Sequence, residues 1–224
     1  MLVSKSVSHR KSVRQFLDKP VPEETVRKIL ELASRSPSGG NTQPWHAYVV
    51  MGDARDEMCK AAIEKVSSVG FDEPEFQMYP KPSESKEFLD RRRKLGYDMY
   101  GLMGIARDDA KGRTEAMLKN YEFFGAPVGI FVTVDRVGDR NAWGHVGMFL
   151  QTICLLAPEF GLETCLQEAW SSIHDTVSEK LNIPDSEVVW CAVALGYADW
   201  SAKVNELKSE REPLEKFATF KNKL

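Results

Sequence analysis

The 224 residues carry a formal charge of -3, are 42% hydrophobic and 10% aromatic, and scatter their basic side chains among acidic ones. That make-up belongs to a globular protein and excludes disordered and fibrous classes; it also gives no general attraction to nucleic acid. No apolar run approaches the roughly 20 residues that cross a bilayer, and the N-terminus lacks the apolar core of a signal peptide, so a cytoplasmic protein without a membrane partner is expected.

One domain over residues 1–224 is expected, with one large insertion. Residues 9–16, HRKSVRQF, gather Arg10, Lys11 and Arg14 around Ser12, with Val13 and Phe16 as apolar anchors. A short polar side chain, backbone amides and guanidinium groups suit a phosphate, although such a cluster on an exposed helix is more often solvated charge. A helix is predicted from Pro22: Glu23 and Glu24 sit in its first turn, and Val26, Ile29, Leu30 and Ala33 recur on one face. It leads into residues 36–44, SPSGGNTQP, rich in turn formers and hydrogen-bonding groups. This loop reads either as a helix cap before a strand or as a binding loop. His46 to Met51 reads as a strand, and Cys59, Ala62, Ile63 and Val66 mark the buried face of the next helix.

Between residues 70 and 113 the character changes. FDEPEFQMYPKPSES is irregular, and KEFLDRRRKLGYDMYGLMGIARDD is helical, with Leu95, Met99, Leu102 and Ala106 on one stripe. Too short for its own core, the segment reads as a lid whose Tyr79, Tyr97, Tyr100 and Arg107 would meet a substrate, while Arg91 to Lys94 form a wet helix face. A helix is expected over 113–124, a central buried strand over Val128 to Val134, and over Gly144 to Phe160 a helix so apolar that sheet, partner or cofactor must cover it, ending near Ala157 because of Pro158.

Gly161 to Glu168 reads as a short strand leading into a loop. Ile173, Val177 and Leu181 line a short helix, Val188 to Gly196 is a second buried strand, and the charged tail with Lys203, Lys208 and Arg211 needs something to tie it down. Cys59, Cys154, Cys165 and Cys191 lack metal or redox spacing and read as buried or free thiols, Cys165 in a loop region being the weak exception. His9, His46, His145 and His174 stand isolated, so neither a Ser-His-Asp constellation nor a metal centre is expected.

HRKSVRQF at 9–16 and SPSGGNTQPWH at 36–46, with FFGAP, GAPVGIFVTV, GLETCLQEAW, LGY at 195–197 and EREPLEKF at 210–217, resemble the flavin-dependent nitroreductase superfamily, above all its nitrobenzoate or nitroaromatic reductase branch. The resemblance implies an α+β fold with a mostly antiparallel sheet between helices, in a homodimer holding two FMN molecules at the subunit interface. A C-terminal extension at about 200–224 would cross to the partner and add a strand to its sheet. By the same resemblance, Arg10, Lys11, Ser12 and Arg14 serve the phosphate and ribityl side, completed by Arg211; Lys208 departs from the commoner Lys-x-Arg spacing. Pro37, Ser38, Gly39 and Asn41 form the loop that reaches FMN from the partner, Gly39 standing where many relatives have serine and so offering only backbone. Leu166, Gln167 and Glu168 belong to the segment whose amides face flavin N5 and O4, and Asn120 is a guess for the pyrimidine edge.

FMN carries hydride and electrons itself, so no catalytic side chain is named. The implied reaction is ping-pong: NAD(P)H reduces FMN and leaves, then a small aromatic nitro compound or quinone takes the electrons. Two alternatives stand beside it: reductive dehalogenation of the iodotyrosine deiodinase type, with Thr164 as a hydroxyl near N5, and a flavin-binding carrier or sensor without turnover. Nothing in the sequence separates NADH from NADPH.

Overall fold

The computed structural model describes residues 2–138 and 140–223. Its centre is one antiparallel sheet of β1 (Trp45–Met51), β2 (Val128–Asp135), β3 (Glu163–Gln167) and β4 (Glu187–Gly196), in the order β1-β2-β4-β3. Side chains alternate between its faces. Ile130, Val132 and Val134 of β2 pack with α2 (Glu23–Ala33) and α6 (Arg140–Leu156), while Phe131 packs on the other side with α3 (Gly52–Ser68) and α7 (His174–Leu181). Helices on both faces explain why β2 is buried from Val128 to Val134 instead of alternating.

Several elements fall where their sequence places them. Pro22 caps α2, whose Val26, Ile29 and Ala33 are buried, and α6 stops at Leu156, where Pro158 opens a 3-10 turn. Others differ for local reasons. The 9–16 patch is extended chain beyond α1 (Val3–His9): Val13 N–H donates to Thr164 O at 3.0 Å, making a parallel bridge beside β3. The insertion's helix α4 (Lys86–Leu102) ends before Ala106, because Gly104 takes φ +72° and turns the chain. Next, α5 (Ala110–Leu118) starts three residues earlier than expected, since the Asp109 carboxylate accepts from Gly112 N–H at 2.8 Å and caps it. It also ends sooner than expected, giving way to a 3-10 stretch over Lys119–Gly125. Cys165 lies inside β3 and is buried, not in a loop. Past Gly196 the tail forms a 3-10 turn at Lys203–Glu206 and the short α8 (Leu214–Phe217), with Phe217 71% and Phe220 79% exposed. Among its described residues the tail adds no strand to this chain's sheet.

An aromatic cluster locks the sheet to the layer beneath it. Phe123 and Phe124 adopt φ +52° and +54°, a conformation that costs of order 1–3 kcal/mol. The return is packing: the Phe123 ring stacks on Trp170 at 4.5 Å and lies over Gly129, where a Cβ would meet Phe123 Cζ at 2.2 Å. Gly129→Ala is therefore expected to lower stability by about 1–3 kcal/mol through overpacking. Urea denaturation checks this, and an unchanged midpoint would show that the ring has room to move.

Candidate functional site

The site begins as an unfinished strand edge. β3 pairs with β4 on one side, and on the other only Thr164 is engaged, its carbonyl accepting from Val13. Backbone groups alternate sides along an antiparallel strand. Leu166, two residues on, therefore turns its N–H and C=O toward the same free edge. A cavity of about 1000 Å³ opens there, floored by Leu166, Gln167 and Glu168, walled by α6, and roofed by α4 with Tyr79 and Tyr100. It lies at the top of the roughly 300–1,000 Å³ range of small-molecule sites. Arg14 and Asn120 also line it.

Of two polar side chains on the floor, one carries an unmet bond. Gln167 is 2% exposed; its Nε2 donates to Asn120 O at 2.8 Å, while its Oε1 is buried without a partner. Such an orphan acceptor needs an explanation, and a ring edge with its own N–H donor supplies one. Glu168 accepts from Trp190 Nε1 at 3.0 Å, and burial raises its carboxyl above the ordinary value, opposed by that bond. With the free Leu166 edge, the orphan Gln167 oxygen and the Arg14 guanidinium, the residues fit FMN: acceptor and donor for a heteroaromatic ring, cation for its anionic arm. Met78, Met99, Met103 and Met117 add deformable walls.

The basic patch is held by a residue that the sequence does not advertise. Asn205 is 2% exposed, accepts from Arg14 N–H at 2.8 Å, and donates to Gln15 O and Asp199 O at 2.8 Å each. Lys11 Nζ donates to Asn205 O at 3.2 Å and lies 5.6 Å from the centre of the Trp200 ring. The two ends of the chain thus meet, in a cleft of about 550 Å³ that includes Lys11 and Lys208. Arg211 is exposed and turned back on Ser209 and Glu210, Arg10 closes α1 by donating N–H to Ser6 O at 2.9 Å, and the Ser12 carbonyl accepts from Arg14 at 3.2 Å.

Pro37, Ser38, Gly39 and Asn41 do not line the large cavity. Their loop folds against α6, Gly39 N–H donating to His145 Nε2 at 3.1 Å and Gln43 N–H to Ser38 Oγ at 3.0 Å. A Cβ on Gly39 would come within 3.2 Å of His145 Cε1, so a larger residue here would press on the imidazole. Tyr97 and Arg107 face an adjoining pocket of about 400 Å³, which Tyr100 also lines.

The histidines are not isolated in space: His9 contacts Glu163 at 2.5 Å, His46 contacts Glu187 at 3.4 Å and His174 contacts Asp175 at 3.3 Å. Asp72, His174 and Asp175 could converge on one point, but Lys65 holds Asp72 at 2.6 Å, so the group reads as a clasp from the insertion to α7. Burial pushes the Cys59 and Cys154 thiols up to about 11, which leaves them protonated and unreactive.

Fold and cavity define a class: an α+β protein that receives a planar cofactor at the edge of an antiparallel sheet. The Nitroreductase family model matches residues 7–197, and the chain belongs to that family. It is 38% identical to a chloronitrobenzene nitroreductase of Comamonas testosteroni, over 96% of this chain and 94% of the relative. It is 37% identical to a 4-nitrobenzoate reductase of Nocardioides sp. (strain LMS-CY), over 96% and 87%. Among solved structures, the FMN and NADPH-dependent nitroreductase NfnB of Sphigopyxis sp. strain HMH superposes with a TM-score of 0.95 at 36% identity, covering 99% of this chain and 100% of that one.

Two measurements test the site's framework. Asn205→Ala strands a buried backbone donor and two carbonyls, and is expected to cost about 1–3 kcal/mol or more in urea denaturation; a loss near zero would mean that water replaces the amide. The folded protein holds the Glu168 proton to higher pH than the unfolded chain does, so that contribution is full below the ordinary carboxylate value and is lost as pH rises through the raised one. The melting temperature of Glu168→Gln should accordingly gain on that of the wild type across this window. Parallel curves would contradict the assignment.

Proposed function

We propose that this chain is an FMN-dependent oxidoreductase that uses NAD(P)H to reduce nitroaromatic compounds or quinones by a ping-pong mechanism. The observation that carries the reading is the cavity at the free edge of β3, with a cation at its side, an orphan acceptor on its floor and an aromatic lid above. The nitroreductases similar over nearly the full length support the same reading. When bound, FMN supplies the hydride and electron chemistry. The chain's part is to bind and tune it: Arg10, Lys11, Ser12, Arg14 and Arg211, joined by Lys208, hold the anionic arm, and Leu166, Gln167 and Glu168 meet the ring. Tyr79 and Tyr100 offer stacking surfaces for the acceptor and exclude water above it.

The deiodinase alternative loses its support at Thr164. That residue is buried with its hydroxyl toward the Cys154 thiol, and it does not line the cavity. A carrier without turnover does not account for the room beneath the lid, which exceeds what one ring system fills.

A homodimer belongs to the proposal. The loop Pro37, Ser38, Gly39 and Asn41 lies away from its own cavity, α6 leaves Gly144, Met148 and Gln151 exposed on one stripe, and the tail ends in exposed Phe217 and Phe220. A second copy would cover the stripe, take the tail at about 200–224 on its sheet, and receive the loop at its flavin. The insertion at about 70–113 acts as the lid of the one domain, and a cytoplasmic location goes with a supply of reduced nicotinamide.

Anaerobic stopped-flow decides the reaction. Rapid bleaching of the FMN-loaded protein by NAD(P)H, with reoxidation by 4-nitrobenzoate, is expected; iodotyrosine as sole acceptor, or no bleaching, would reject the reading. Arg14→Ala is expected to weaken FMN retention about 10- to 100-fold, one charge-assisted bond being worth about 1.5–3 kcal/mol, as read by ultrafiltration of the yellow protein.

A further inference from the structure

Where β2 and β4 pass Trp190 their register slips by one residue: Val132 pairs with Cys191 and Thr133 with Val189, so the ladder steps over Trp190. Such a bulge re-aims a side chain. Leu195, Val193 and Cys191 pack on the α6 side of β4, and Ala194 and Ala192 on the α3 side. Strict alternation would send Trp190 to the α3 side with Ala192. The bulge instead brings it to the α6 side beside Cys191, where the indole lines the large cavity. Gln167, the last residue of β3, pairs with Ala192, so Glu168 leaves the strand next to this bulge.

Two kinds of contact fix the indole there. Its ring meets Trp143 of α6 at 5.2 Å between centroids, and Trp143 in turn meets Phe76 of the insertion at 4.9 Å. Its Nε1 donates to Glu168 Oε1 at 3.0 Å. Burial favours the protonated acid at Glu168, and the indole N–H opposes it by bonding the charged form. Tyr79 of the insertion and the buried Cys191 thiol of β4 both feel the Glu168 charge. Arg14, Arg92, Arg93 and Tyr100 line the same cavity, to which α6 brings Gly147, Leu150 and Gln151, none of them charged. We propose that Trp190 is a positioning residue: delivered by the bulge, its indole N–H fixes the orientation and charge state of the Glu168 carboxyl on the cavity floor, and through it how readily bound FMN is reduced. The inference rests on the reading above in which Glu168 meets the flavin ring. A carboxylate there repels added negative charge, and a neutral acid does not.

The test compares wild type, Trp190→Phe, Glu168→Gln and the double variant; phenylalanine keeps an aromatic ring against Trp143 and removes the N–H. In flavin-free protein the indole ¹H–¹⁵N resonance of Trp190 is expected to move with pH, and to lose that movement in Glu168→Gln. A resonance indifferent to pH in the wild type would overturn the assignment, and this readout needs no Trp190 variant to fold. In FMN-loaded protein the midpoint potential is expected to inflect with pH, with the inflection about one to two pH units higher in Trp190→Phe, the worth of one hydrogen bond to a charged group. At neutral pH the potential of that variant should accordingly lie above the wild type's. Glu168→Gln should lack the inflection, and Trp190→Phe should add nothing to it. A shift that persists in the double variant would reduce Trp190 to packing, and identical profiles in wild type and Trp190→Phe would equally overturn the role. A wild-type protein that takes up no FMN would sink the cofactor reading instead, and the indole resonance would still decide whether Trp190 governs Glu168.

Discussion

The structure depends on a strand edge that is only half used. Val13 closes on Thr164 and stops, because Arg14 N–H is claimed by Asn205, and the chain then leaves the β3 edge. Had the N-terminal segment continued along β3, Leu166 would be paired and the cavity filled with backbone. Unpaired edges are ordinarily a liability that proteins cover. Here α4 covers the edge from a distance, leaving a space lined by Gln167, Glu168 and Arg14.

What surrounds the edge is rigid on one side and loose on the other. Below it, the stacked Phe123 and Trp170 and the close fit over Gly129 fix the sheet, so the floor of the cavity is preorganised. Above it, α4 buries none of its residues. Its Leu95 and Met99, which form an apolar stripe in the sequence, face the cavity and not a core. A helix so placed would gain its packing from whatever fills the cavity.

The layers were readable from the sequence wherever the signal is local. The 3.6-residue period of Val26, Ile29 and Ala33, the apolar run of β2 and the stop at Pro158 each act within a few residues, and each lies as expected. The lining of the cavity was readable in part: HRKSVRQF and GLETCLQEAW mark Arg14 and Leu166 to Glu168. Its supports were not, because they come from far along the chain. Asn205 reaches Arg14 across 191 positions and Gln167 reaches Asn120 across 47. The ends of α4 and α5 were missed for a smaller reason: Gly104 and Asp109 act as single-residue punctuation inside a stretch whose composition stays helical throughout.

Charge on α4 is divided between paired and unpaired cations. Acidic partners along α4 and from the tail neutralise Arg91 and Lys94, tying α4 to residues 210–212. Those exposed pairs are worth little individually, so they hold α4 to the tail only loosely. The guanidinium groups of Arg93, Arg107 and Arg113 stay uncompensated at the adjoining pocket.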